Sequence, residues 1–302
     1  RRRRRRRRRR RTTTTTTKPP SRCRRGDTAA DAVITALGEA GLETVRIDLR
    51  EPGDIADALG RHRDTVDRVV VCGGDGTMNA ALPAVLDGSL PMGVIPLGTA
   101  NDFARSIGIP MDITAACRVA AADRVRRIDV GTINDRYFLN VAHIGLAVEV
   151  ARRSDARSKQ RLGSLAYPAA AWSAFRTRRT FVAHIRGEDG AWRRLRAIQV
   201  SVGNGRFYGG GIPVAEDAAI DDARLDLYAL PAGKWHALVA MIPALRRGRM
   251  RSHREILTLS GAAFEIRTHR PKTVSVDGEE AFRTPVRLGV LPAALPVLAP
   301  AA

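Results

Sequence analysis

The spacing of apolar residues changes near residue 127, and the change divides the chain. Over residues 27–40, Ala30, Val33, Ile34, Leu37 and Ala40 recur with a period near 3.6 before Gly41, which predicts a helix ending at the glycine. Residues 42–47 read as a strand, 55–59 as a short helix, 67–72 as a buried strand and 77–86 as a helix. A further strand is expected over 92–97, and a helix opening at 102–107. Strands and helices that alternate through short links predict a parallel sheet covered by helices. Beyond residue 127 the pattern is of short strands separated by turns, over 128–134, 137–141, 181–185, 197–203, 225–229, 256–259, 263–268 and 273–276. That half reads as a mostly antiparallel domain, interrupted by a helical insert at 147–179 and carrying a further helix at 234–247.

Both glycine-rich turns of the first half follow strands. Val69-Val70-Val71-Cys72 runs into Gly73-Gly74-Asp75-Gly76-Thr77, and Val94-Ile95-Pro96-Leu97 into Gly98-Thr99-Ala100-Asn101-Asp102. A strand feeding a glycine turn and then a helix start suits phosphate, because glycine lets the backbone approach and the first helical N–H groups favour negative charge. The strand ends of an open α/β sheet are also where such sheets bind ligands. Two turns of this kind, each with an aspartate, point to one nucleotide cleft with Mg²⁺ chemistry. Taken alone, Asp75 reads equally well as a cap on its own helix.

Charge alters this picture less than its total suggests. The net charge is +20, but residues 1–25 hold fifteen basic residues and no acid, so the body is only mildly basic. Eleven arginines, six threonines and Lys18-Pro19-Pro20 cannot bury apolar surface, and residues 1–25 are expected to be a disordered or artefactual basic tail. No apolar run follows the arginines as a signal peptide requires. Cys23, Cys72 and Cys117 are odd in number and form no C-x-x-C pair, which favours a reducing compartment and disfavours zinc. The apolar stretches are too short to span a bilayer.

Gly73–Thr77 together with Gly98-Thr99-Ala100-Asn101-Asp102-Phe103-Ala104-Arg105 resembles the diacylglycerol kinase catalytic domain, and more narrowly the bacterial lipid kinases related to diacylglycerol and sphingosine kinases. The likeness continues through Tyr137-Phe138-Leu139-Asn140-Val141-Ala142-His143-Ile144-Gly145, the Asn204–Gly211 aromatic and triple-glycine loop, Asp221-Asp222-Ala223-Arg224-Leu225-Asp226, and Asp277-Gly278-Glu279. It implies an α/β catalytic domain at 26–132 with a parallel sheet and flanking helices, like that of NAD kinases and diacylglycerol kinases. It implies a β-sandwich domain with a helical insert at 133–302, the last strands returning toward the cleft.

The resemblance further implies ATP as phosphoryl donor, with its phosphates on Gly73, Gly74, Asp75, Gly76, Thr77, Met78 and Asn79 and with Thr99 also touching the nucleotide. Asp75 and Asp102 would hold Mg²⁺, directly or through water. Asp277-Gly278-Glu279 would otherwise be read as a hairpin turn. In the resemblance one of its acids is the general base on a lipid hydroxyl, Glu279 first, with Asp277 as base or Mg²⁺ partner. Asp222, with the carbonyls of Ala219 and Arg224, matches a second, structural Mg²⁺ site, although Ala223 stands where glycine is usual.

A larger departure lies at the start. Where the family opens on an apolar strand, this chain has arginine and threonine, which are not expected to supply a central parallel strand. The implied protein is cytoplasmic, peripheral to a membrane that presents its lipid substrate, and able to form a homodimer. Arginines at 152–179 and 246–254 are candidates for a membrane-facing patch, or simply a solvated face. His143 and the apolar residues of the insert (Leu162, Leu165, Trp172 and Phe175) read as packing. The competing readings are an NAD kinase-type enzyme and a non-catalytic nucleotide- or membrane-binding homologue. No recognition motif supports specific nucleic-acid binding.

Overall fold

The computed structural model describes residues 10–17, 24–49, 54–62, 64–153, 180–208, 211–213, 218–232 and 256–300. Helix 234–247 and most of the insert expected at 147–179 lie outside these residues, as do both arginine clusters apart from Arg152 and Arg153. The chain divides into two compact units, Arg1–Ile128 with Ala293–Ala302, and Asp129–Pro292.

The first unit is a parallel sheet. Its strands are β1 (Arg10–Thr17), β2 (Leu42–Leu49), β3 (Arg68–Gly73), β4 (Met92–Pro96) and the end of β17 (Val286–Leu298), in the order β17-β4-β3-β1-β2. Every residue of β3 and β4 is buried. Helices α1 (Arg24–Glu39), α2 (Asp54–His62), α3 (Asp75–Gly88), α4 (Asp102–Ser106) and α5 (Ile113–Ala121) bury apolar side chains such as Val33, Leu37, Ile55, Leu82 and Ala116.

Strand β1 corrects two expectations. Residues 10–17 are not a disordered tail, and the position expected to lack a strand is filled. Thr12–Thr16 pair in parallel with Arg68–Cys72 on one side, and Arg10–Thr17 with Leu42–Leu49 on the other. Among the described residues the strand opens with Arg10 and Arg11 of the arginine run. The other six residues are threonines, whose β-branched side chains favour extended backbone, and the ladder itself uses main-chain groups that every residue but proline supplies.

The second unit is antiparallel. Its strands include β5 (Val125–Ile133, whose start lies in the first unit), β6 (Arg136–Phe138), β7 (Val141–Gly145), β8 (Phe181–Arg186), β9 (Trp192–Gly203), β12 (Leu225–Pro231), β13 (Leu257–Gly261), β14 (Ala263–Thr268), β15 (Thr273–Val276) and β16 (Glu279–Arg283). The order runs β16-β15-β7-β9-β8-β14-β17, with β12 joining β9 to β13 and the short pair β10 (Phe207–Tyr208) and β11 (Ile212–Pro213) standing separately. Helix α6 (Leu146–Arg153) follows β7. Alternate residues of these strands, among them Ala142, Ile144, Val200, Val202, Leu227, Ile266 and Val276, form one apolar core.

Candidate active site

The two glycine turns of the first unit press against each other. A Cβ on Gly98 would lie 2.5 Å from the Gly74 Cα, and one on Gly74 would lie 3.1 Å from the Gly98 Cα. Any side chain at Gly98 would push the turns apart, so glycine is needed there for the approach rather than for dihedral freedom. Asn101 locks the second turn from within: its Oδ1 accepts from Gly98 N at 2.9 Å and its Nδ2 donates to Gly98 O at 2.8 Å. This exchange is made from a left-handed backbone, φ 52°, that asparagine tolerates better than most residues.

Gly74 is the N-cap of α3 and has no side chain with which to cap it. Asp75 follows as the first residue of α3. Its Oδ1 accepts from Phe103 N at 2.9 Å, at the start of α4, and so ties the first turn to the second. Asp102, also at that start, is buried. The result is a glycine-capped helix N-terminus, with the Asp75 carboxylate bonded to the start of α4, where Asp102 also lies. Gly76 has open space where a Cβ would point, and the Oδ1 of Asn79 is buried without a hydrogen-bond partner. A helix start behind a glycine turn suits phosphate oxygens, and the orphaned acceptor suits a hydroxyl or a bound water. Among the described residues no three acids, histidines or cysteines gather as a metal cluster. Mg²⁺ in phosphoryl-transfer sites needs only one or two carboxylates besides phosphate and water, so the pair Asp75 and Asp102 fits it.

In the second unit the hairpin reading of Asp277-Gly278-Glu279 is realised. Asp277 and Gly278, at φ 47° and 91°, are the two central residues between β15 and β16, with Val276 opposite Glu279. Both residues have positive φ, as a type I′ turn demands. The Asp277 carboxylate is engaged: it accepts from Leu139 N at 2.8 Å, Asn140 N at 3.0 Å and Val141 N at 2.8 Å. Its own N–H donates to Val141 O at 2.9 Å. Asp277 thus fastens the hairpin to the turn before β7. Glu279 is exposed, and Glu280 forms an ion pair with Arg152 of α6, whose guanidinium also donates to Thr273 at 3.2 Å.

The 219–224 turn holds Asp222, whose Oδ1 accepts from Arg224 N at 3.0 Å. Burial raises its carboxyl above the ordinary range. The N–H of Arg224 pulls it back, the charge of Asp129 raises it again, and a backbone bond to Ala219 lowers it. Ala223 does adopt positive φ, 59°. Asp129, a buried strand residue that carries no motif signal, holds it there by accepting from Ala223 N at 2.6 Å.

His143 belongs to a polar row across β7, β9 and β12. Its Nδ1 lies 2.8 Å from the Ser201 hydroxyl, which accepts from Gln199, and Gln199 also donates to Tyr228. Burial lowers the imidazole to about 4, so the ring is neutral near pH 7 and packs as expected. Burial likewise pushes the Cys72 thiol far up and the Cys117 thiol up to about 11, and both are free.

Residues 18–133 match the model of the diacylglycerol kinase catalytic domain, and residues 140–299 that of the YegS C-terminal NAD kinase beta sandwich-like domain. The first match begins just after the threonine strand. The chain belongs to the YegS-like lipid kinase family. It is 33% identical over 274 residues to a "Probable lipid kinase YegS-like" of Pectobacterium atrosepticum, covering 88% of this chain and 90% of that one. It is 32% identical over 271 residues to a "Probable lipid kinase YegS" of Salmonella arizonae, covering 87% and 88%. The structure resembles that of a candidate diacylglycerol kinase from Bacillus anthracis, with TM-score 0.80, 26% identity and 97% and 95% coverage. The YegS-like family accounts for both halves of the chain, and membership makes it a kinase. No helix among the described residues is long and apolar enough to cross a membrane.

Proposed function

We propose that this protein transfers the γ-phosphate of ATP to the hydroxyl of a membrane lipid, diacylglycerol or a related lipid alcohol. The observation that carries the reading is the locked pair of glycine turns, with Gly74 against Gly98 and Asp75 bonded across to Phe103. Phosphoryl transfer asks for alignment and charge neutralisation more than for covalent help. The start of α3, with residues 73–79 and Thr99, receives the phosphates. Asp75 and Asp102 would hold Mg²⁺, which when bound neutralises phosphate charge. Glu279 takes the proton of the lipid hydroxyl as the new O–P bond forms. Asp277 holds the hairpin that carries Glu279. A second ion on Asp222 with the Ala219 and Arg224 carbonyls would serve the fold rather than the chemistry.

The test is transfer of labelled γ-phosphate from Mg·ATP to a panel of lipid alcohols in mixed vesicles, with Asp75→Ala as control. Label on a lipid that disappears in the variant is the expected result. Label on added NAD, or transfer that survives in Asp75→Ala, would overturn the reading.

A further inference from the structure

Strands β9, β8, β14 and β17 turn one set of alternate residues to the apolar core and the other set outward. Phe181, Ala183 and Ile185 of β8 are buried, which leaves Val182, His184 and Arg186 on the opposite face. In register, Trp192 stands opposite Arg186, Arg186 opposite Glu265, and Glu265 opposite Arg287. The next row places Arg194 opposite His184, and His184 opposite Arg267, with Arg196 one step further along β9. Residues opposite one another share a face. This face therefore gathers five guanidinium groups around one carboxylate.

The centre of the face is organised. Trp192 remains 41% exposed. The guanidinium carbons of Arg186 and Arg267 lie 4.9 and 4.8 Å from its ring centroid. Both arginines also pair with Glu265, which is nearly buried beneath them. Arg194, Arg196, Arg267 and Arg287 are exposed. Charged residues often guard the edges of sheets, but β8 and β14 are paired on both sides, so protection of an edge does not account for this face. Four strands at ordinary spacing make a platform roughly 15 Å wide.

We propose that this arginine and tryptophan face docks the protein on an anionic lipid bilayer. Guanidinium groups pair with lipid phosphates, and an exposed indole with a polar N–H is suited to the headgroup layer. The choice of partner rests on the lipid-kinase reading, and the face itself does not. A patterned sheet face with an exposed indole among its guanidinium groups fits a headgroup layer better than a nucleic-acid groove.

The experiment is co-sedimentation of the full chain with phosphatidylcholine vesicles, with and without phosphatidylglycerol. Wild type partitions onto the anionic vesicles. The variant Arg194→Glu with Arg287→Glu, which keeps the Glu265 pairs intact, binds at least about tenfold less. Unchanged binding in that variant overturns the proposal. A chain with Trp172→Phe and Trp235→Phe, leaving Trp192 as the only tryptophan, shows a blue-shifted emission when anionic vesicles are added, and absence of the shift counts against the proposal without needing the charge variant to fold. Binding to duplex DNA with no binding to vesicles would overturn it in favour of a nucleic-acid surface. Phosphoryl transfer to a water-soluble short-chain acceptor is unchanged in the charge variant, while transfer to a vesicle-borne acceptor falls. If wild type transfers to neither, the kinase reading fails and vesicle binding alone decides the surface.

Discussion

Asp277 and Glu279 sit two residues apart, and the structure separates them. Three backbone N–H groups point at the Asp277 carboxylate, while Glu279 is exposed. Glu279→Gln is expected to lower kcat by about 10²–10⁴ with the melting temperature unchanged. Asp277→Asn is expected to lose roughly 2–3 kcal/mol of stability, read by thermal melting, because part of a charge-assisted set is lost. Equal stability losses in the two variants would contradict this division. His143 gives the second residue-scale prediction. Its pKa falls from 6.5 to about 4 on folding, so between those values the unfolded chain binds a proton that the folded chain does not. Its contribution is therefore constant above pH 6.5 and turns increasingly unfavourable as pH falls toward 4, by roughly 2–3 kcal/mol. Melting of wild type against His143→Asn across that window should show the wild-type advantage shrinking; an advantage that does not change with pH would refute it.

At the scale of elements, most of the fold was legible because its signals are local. The β3 and β4 runs end at their glycines, and the periodicity expected at 27–40 is α1, which begins three residues earlier. Strands β16 and β17 were not individually foreseen, since β16 follows a turn at once and β17 carries Pro292 and Pro296. Helix α5 is short and alanine-rich, with little pattern to read. The motif residues were visible in the sequence, but the anchoring by Asp277 was not, because its partners lie about 137 positions away. Strand β1 was misread through composition: Thr13 pairs in register with Val45 and Val69, and Thr15 with Ile47 and Val71. Thr13→Val with Thr15→Val is expected to raise stability by about 1–2 kcal/mol in denaturant melts, as apolar positions in a central parallel strand should. A loss of stability would contradict the register. In the 219–224 turn, Ala223→Gly is expected to gain about 0.5–1 kcal/mol by relieving a left-handed alanine, which thermal melting would detect.

For the whole molecule, binding and stability are linked. A non-hydrolysable ATP analogue with Mg²⁺ at a hundredfold over its Kd is expected to add about 2.7 kcal/mol to wild type, seen as a raised Tm. The shift should vanish in Asp75→Ala, and a shift retained there would place the nucleotide elsewhere. The threonine strand bears on the chain in another way. Six successive threonines, Thr12–Thr17, present the same sequence to β2 and β3 after a slip of two residues, so the side chains leave no mark of position. Register is then left to what flanks the run rather than to the run itself. Deletion of one threonine from this run is therefore expected to lower Tm less than deletion of one valine from β3, and an equal loss in the two length variants would refute it.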